Sequence, residues 1–417
     1  MTTRRGDKTI CIDFDSPEQY DACVRDKALF RSHLESWFRK HPLLFPPDMA
    51  GGFTFHDNIV SAKQELVTCR IRLKASRDVY QIRPSFVMPY MTSFTDDVEK
   101  GLYLRRWNVP YEALAYVFGR DPMFWYRCSQ SLGRPSIVGA TVRSPERLPE
   151  HLVADEKHTW RRGERAYVAT TVADGCIFGA EVSMSASPAA LEGSYGVFAE
   201  EALNVAPNYQ PKTVCVDPWQ ATRQAWAKLF SSASVILCFL HSILKLRKCK
   251  DVLDQLRGKL IGRGWHVYQA KTKKQFSQRM RRFREWADAN LPPGQLLDAA
   301  YAMFAKRDSF KRAYDFDNPY RTTNGVDRLI DYQDRVLYGM RYFHGELSSA
   351  SMAVRSMALL WNFHPYGRRA RPRATRTVSP FSELNGFAYH DNWLRNLQIA
   401  SSMGGRRRRQ SDNEGGS

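Results

Sequence analysis

The chain has 417 residues, with 62 Lys and Arg against 43 Asp and Glu, a formal net charge of +19. With 43% hydrophobic residues it can bury real cores, which excludes wholesale disorder, a fibrous repeat and a small disulfide scaffold; at about 150 residues per domain the length corresponds to two or three domains. The longest apolar run, residues 235–244 interrupted by His241 and Ser242, is about half the roughly 20 residues a membrane span needs. The N-terminus turns acidic and polar before any stretch of signal-peptide length, so the expectation is a cytoplasmic protein.

Such a basic surplus points first to a polyanion, because each neutralised phosphate releases counterions before any base is read. Cys11, Cys23, Cys69, Cys128, Cys176, Cys215, Cys238 and Cys249 contain no C-x-x-C pair and read as reduced thiols. His33, His41 and His56 with Cys11 and Cys23 match no zinc spacing and read as packing residues.

In chain order, residues 1–92 read as a mixed α/β region whose alternating stretch 65–73 is an edge strand or hairpin arm. Residues 93–150 turn helical and then link. Gly119 closes one helix, and Asp121 with Pro122 opens the next, a helix-turn-helix pattern. Its second helix, 122–132, would present Met123, Tyr126, Arg127, Ser129 and Gln130 to the major groove of DNA, with Arg134 just beyond.

A different grammar follows over 151–246. An apolar run at 151–155 ends in Asp155; two strands, 167–172 and 176–182, meet at Asp174-Gly175; a helix spans 189–203. Then come a strand at 212–217 ending in Asp217, a helix at 220–230, the run 235–240 and another helix through Leu246. This is a mixed α/β layer with two carboxylates at strand ends. Residues 247–320 read as a basic helical insertion, in which Lys273, Lys274, Arg281 and Arg282 suit phosphate contacts and Phe283 and Trp286 either stack on bases or fill the insertion's own core. Helices return at 323–338 and 347–362. Residues 367–417 read as a basic linker and a partly disordered tail.

Two strand-end acids joined by a third on a later helix suit a site for two Mg²⁺ or Mn²⁺ ions, whose hard character calls for carboxylate oxygens. Asp155 and Asp217 are the first two candidates. The third is Asp327 in the first turn of its helix, with Glu346 as rival. The residues 155–158 (DEKH), 217–226 (DPWQATRQAW), 238–241 (CFLH), 323–329 (TNGVDRL) and 342–345 (YFHG), in this order, resemble bacterial insertion-sequence DDE transposases related to the Mutator group. The resemblance spans roughly 80–366.

It implies an α/β ribonuclease-H-like core interrupted by an all-α insertion and preceded by a mainly helical helix-turn-helix DNA-binding region. It further implies a metal-binding triad of Asp155, Asp217 and Asp327, although Glu is commoner at the third position, and a supporting Cys238/His241 pair. Double-stranded DNA, both the element's terminal repeats and its target, would be the substrate, and the working complex a homo-oligomer on DNA with no membrane association. A DNA-binding relative that no longer cuts, and a structure-selective nuclease, are the alternatives. The chain has no G-x-x-x-x-G-K-[ST], H-E-x-x-H or G-x-S-x-G motif.

Overall fold

The computed structural model describes residues 8–61, 66–250, 254–367 and 378–406, and of Asp327 the backbone alone. The protein is multidomain and mixes α/β sheets with helices.

The N-terminal unit comprises β1 (Thr9–Ile12), α1 (Pro17–Arg25), α2 (Lys27–Lys40), β2 (Phe53–Ser61), β3 (Leu66–Leu73) and β4 (Val79–Pro84). Its four strands lie in the order β1-β4-β3-β2, with β1 parallel to β4 and the others antiparallel. The alternating stretch is thus a hairpin arm but an interior strand rather than an edge: its apolar residues Leu66, Ile71 and Leu73 are buried, and both neighbours hydrogen-bond it. The helices follow from their caps. Ser16 accepts from Gln19 N with Pro17 in the first turn, and Asp26 accepts from Ala28 N and Leu29 N.

Four helices follow, α3 (Thr95–Arg105), α4 (Tyr111–Phe118), α5 (Pro122–Ser131) and α6 (Ile137–Thr141). The second sheet then forms from β5 (His151–Arg161), β6 (Glu164–Ala173), β7 (Cys176–Ser183), α7 (Pro188–Val205), β8 (Thr213–Val216), α8 (Gln220–Leu229), β9 (Ser234–Leu237) and α9 (Phe239–Lys248). Its order is β7-β6-β5-β8-β9; the first three strands are antiparallel, while β5, β8 and β9 run parallel. The β6–β7 turn uses Asp174 (φ 48°) and Gly175 (φ 77°), both left-handed as a tight two-residue hairpin requires.

Next come α10 (Asp254–Tyr268), α11 (Lys273–Asn290), α12 (Gln295–Ala305) and α13 (Arg307–Lys311), then α14 (Asn324–Gly339) and α15 (Leu347–Phe363). One face of the second sheet packs with α7, α8 and the α10–α13 helices around Phe198, Trp226 and Phe239; the other packs with α3, α5, α14 and α15 around Trp125, Tyr332 and Leu359.

The C-terminal segment departs from the reading as linker and tail. Residues 378–406 are folded, with α16 (Pro380–Asn385) and α17 (Trp393–Ala400) almost wholly buried. Ser402 Oγ donates to Leu44 O and accepts from Cys11 N, so this segment ties the N-terminal sheet to the rest. The remaining parts of that reading, 368–377 and 407–417, lie outside the described residues. All eight cysteines are buried free thiols. Among the described residues no helix is long and apolar enough to cross a membrane.

Candidate functional site: an acidic row at a sheet edge

Strand register assembles the site. β5 pairs with β8 through Val153 opposite Cys215, and β8 pairs with β9 through Cys215 opposite Ile236. These three side chains share one buried cluster, on the α14 and α15 face. Two residues further along each strand, the same face carries Asp155, Asp217 and Cys238. Sequence-distant residues therefore form a row across three adjacent parallel strands. The Cys238 amide still bonds Val216 O at 2.7 Å, which holds the register up to the row.

Asp155 is not at a strand end, as its short apolar run suggested. β5 continues to Arg161, and Asp155 pairs with Thr170 of β6. What ends beside Asp155 is the parallel partner β8, so the carboxylate sits where the sheet steps from three strands to a projecting hairpin. Asp217 follows β8, and one of its oxygens accepts from Trp219 N at 2.9 Å, shaping the turn into α8.

Helix α14 crosses this face. Its N-cap Thr323 donates its amide to Cys238 Sγ at 3.2 Å. Further along, Gln333 donates to Thr170 Oγ1 at 3.2 Å, and Asp334 pairs with Lys157 at 2.9 Å. Asp327 lies one turn after Thr323 and seven residues before Asp334, on the same edge of the helix, between its anchors at Cys238 and Lys157. Its side chain lies outside the described residues. Among those that are described, no three His, Cys, Asp or Glu side chains cluster as a metal site. The rival Glu346 is exposed and pairs with Arg161 and, at 2.5 Å, Arg162. Those residues lie at the far end of β5, about 20 Å from Asp155 at about 3.3 Å per residue.

The electrostatics are local and opposed. His241, one turn into α9, has its imidazole pKa raised by its hydrogen bond with Cys238, against the effect of burial, with further help from Asp155 and Asp217. Burial pushes the Cys238 thiol up, but bonds with His241 and Thr323 outweigh it and bring the group below its ordinary value. Burial lowers Lys306, as do Lys245 and Arg223, while Asp217 opposes them. The helical insertion thus brings a lysine into the field of Asp217, which sequence reading missed because nothing local marks a residue after α12 as neighbour to a strand some ninety positions earlier.

Glu156, next to Asp155, lies on the opposite face. Tyr195 and Thr222 hydroxyls both donate to its Oε1 at 2.7 Å. Burial raises its pKa to about 7, with Tyr195 and Thr222 holding it down and Asp155 and Asp217 adding to the rise.

The expected DNA-contact residues separate. Helix α5 is packed into the core: Trp125 and Cys128 are buried, and a Cβ on Gly101 of α3 would lie 2.3 Å from the Trp125 ring. Ser129 is buried, not presented to solvent, and its carbonyl accepts from Ser356 of α15. Tyr126 and Gln130 are half-buried beside residues 339–345, with Tyr126 edge-on to Tyr111; Met123 and Arg127 are exposed. Arg134 is exposed, its guanidinium 4.5 Å above Tyr90.

On α11, Lys274 and Arg282 are exposed, Arg281 pairs with Glu285, and Lys273 pairs with Asp315. Phe283 is a core residue and Trp286 lies under Arg263, so neither is free to stack on a base.

The chain matches no family model and no curated protein.

Proposed function

We propose that this chain is a metal-dependent phosphodiester-transfer enzyme, and specifically a DNA transposase of the DDE type. The observation that carries the reading is the row of Asp155 and Asp217 on neighbouring parallel strands, crossed by a helix with a third acid in its first turn. The strand order β7-β6-β5-β8-β9, antiparallel then parallel, supports a ribonuclease-H-like core.

The donor set fits Mg²⁺ or Mn²⁺, since half-buried carboxylates supply hard oxygens and the nearby sulfur is engaged by Thr323 and His241. Asp155, Asp217 and Asp327 would hold two ions, which supply Lewis-acid activation of a water or 3′-hydroxyl and stabilisation of the leaving oxygen. Lys306, Lys245 and Arg223 hold a positive field beside Asp217 in which a backbone phosphate is retained. The exposed Arg127, Arg134, Lys274 and Arg282 add sequence-independent attraction along the DNA. Cys238, bonded to Thr323, fixes the start of α14 against the sheet and hence the height of Asp327 over the row. Terminal-repeat recognition, and the homo-oligomer that must join two element ends, belong to the same proposal.

The experiment is cleavage of a labelled duplex carrying the flanking element end, with Mg²⁺. Wild-type cutting that disappears in Asp155→Ala, Asp217→Ala and Asp327→Ala at unchanged DNA affinity supports the reading. Binding without wild-type cutting replaces it with a DNA-binding relative, and cutting without strand transfer replaces it with a nuclease.

A further inference from the structure

Away from the acidic row, a cavity of about 550 Å³ opens between helices α4 and α5 and the loop that joins α14 to α15. It touches α14 at Gly339, about 18 Å along that helix from Asp327 at 1.5 Å per residue. Three half-buried tyrosines line it from three elements: Tyr111 in the first turn of α4, Tyr126 of α5 and Tyr342 of the loop. Tyr111 and Tyr126 meet edge-on with ring centroids 5.8 Å apart. The buried Arg105 guanidinium, itself bonded to Val109 O at 2.5 Å, sits 4.2 Å from the Tyr111 ring. The loop wall is equally fixed. Arg341 and Tyr342 are consecutive non-glycine residues in the left-handed region, φ 53° and 67°, a costly conformation. Tyr342 N donates to Leu337 O at 2.8 Å, and Phe343 N to Trp160 O of β5 at 3.1 Å.

This preformed aromatic lining carries a few polar groups. Gln130 lies one turn beyond Tyr126 on the same face of α5, half-buried, and its side-chain amide has no hydrogen-bond partner among the described residues. Glu112 and Arg341, both exposed, line the same cavity and form no ion pair among the described residues. Aromatic faces take a flat ring, and an amide with donor and acceptor side by side takes a ring edge carrying the complementary pair. An exocyclic amine has one hydrogen for Gln130 Oε1 and one for the Glu112 carboxylate, while the neighbouring ring nitrogen accepts from Gln130 Nε2. Adenine carries this set; thymine has a single N–H for the two acceptors. Arg341 at the rim suits the attached phosphate, and the volume suits one nucleotide.

We propose that this cavity binds a single unpaired nucleobase bearing an exocyclic amine, adenine first, stacked on Tyr126 and Tyr342, with its edge read by Gln130 and Glu112 and its phosphate met by Arg341. The site is independent of the acidic row, and binding there needs no metal.

The test is isothermal titration calorimetry on the full chain without divalent cations, with deoxyadenosine monophosphate and thymidine monophosphate as probes. One-to-one saturable binding is expected, roughly tenfold or more tighter for the adenine nucleotide. Tyr126→Ala weakens both probes roughly tenfold or more through lost stacking, and Gln130→Ala brings the adenine nucleotide down to the level of the thymine one, each with unchanged far-ultraviolet circular dichroism. Absence of saturable binding to the wild type, equal affinity for the two probes, or an unchanged preference in Gln130→Ala overturns the proposal; this last measurement decides alone if Tyr126→Ala does not fold. A duplex with one bulged adenine and its fully paired counterpart then separate the sources. Displacement of the nucleotide by the bulged duplex alone assigns the site to an extrahelical base of DNA, and displacement by neither assigns it to a free nucleotide. Equal displacement by both means that phosphates alone are bound and overturns the proposal. With no metal present, the outcome is separate from that of the cleavage experiment.

Discussion

Asp155 and Glu156 are adjacent in sequence and opposite in circumstance. Strand alternation sends one to the face shared with Asp217, Cys238 and α14, and the other to the face covered by α7 and α8. The first is half-buried among like charges. The second is buried, bonded by two hydroxyls, and has its pKa raised to about 7. One face leaves half-buried carboxylates beside α14, where the proposed chemistry would use them, while the other ties a carboxyl of β5 to α7 and α8. The lesson is that an acid's neighbours, more than its presence, decide what it can do.

The largest effect that tests this contrast is in activity. Asp155→Ala should lower cleavage by roughly a thousandfold or more, since an ion-holding carboxylate supplies several kcal/mol of transition-state stabilisation. Its melting temperature should change by no more than about a few degrees, since loss of the like charge beside Asp217 offsets loss of the oxygen that accepts from Glu156 N at 2.8 Å. A marked fall in stability would break the contrast.

Next comes a pH effect from the other face. The fold binds the Glu156 proton more tightly than the unfolded chain does, so this contribution is complete below about pH 4.5 and lost as pH rises through about 7. The shift from 4.5 to about 7 corresponds to about 3 kcal/mol. Chemical denaturation across this window should give a falling stability in the wild type and a flatter profile in Glu156→Gln; equal slopes would remove Glu156 as the cause.

Smaller still, Thr222→Val should cost about 1 kcal/mol by deleting one buried bond to Glu156. Urea unfolding measures it, and a cleavage rate that drops no further than stability explains would sharpen the division between the faces. The smallest effect concerns the acidic face's outer anchor. Lys157→Met, which removes the ion pair to exposed Asp334, should change stability by about 0.5 kcal/mol in the same assay.

Much of the second sheet was legible because its apolar runs are short, separated by turn residues and matched to caps. The β6–β7 hairpin, α7, β8, α8, α14 and α15 fall close to their expected limits. The polar half of β5 was not legible: in residues 156–161 the one large apolar side chain, Trp160, is exposed, so no apolar alternation marks the strand. Helix α5 was legible as a helix but not in its full orientation, since Ser129 looks the same in sequence whether it faces DNA or α15. Residues 378–406 were missed because Asn385, Asn396 and Gln398 look like linker residues until they are buried.

By itself the sequence determined the local elements, the positive charge and a set of candidate acids, because caps, turns and alternation act over a few residues. Only the tertiary structure decided which acids meet. Strand register put Asp155 beside Asp217, the path of α14 separated Asp327 from the distant Glu346, and the packing of distant helices placed Lys306 near Asp217. Those outcomes depend on contacts between segments tens to hundreds of residues apart, which no local pattern encodes.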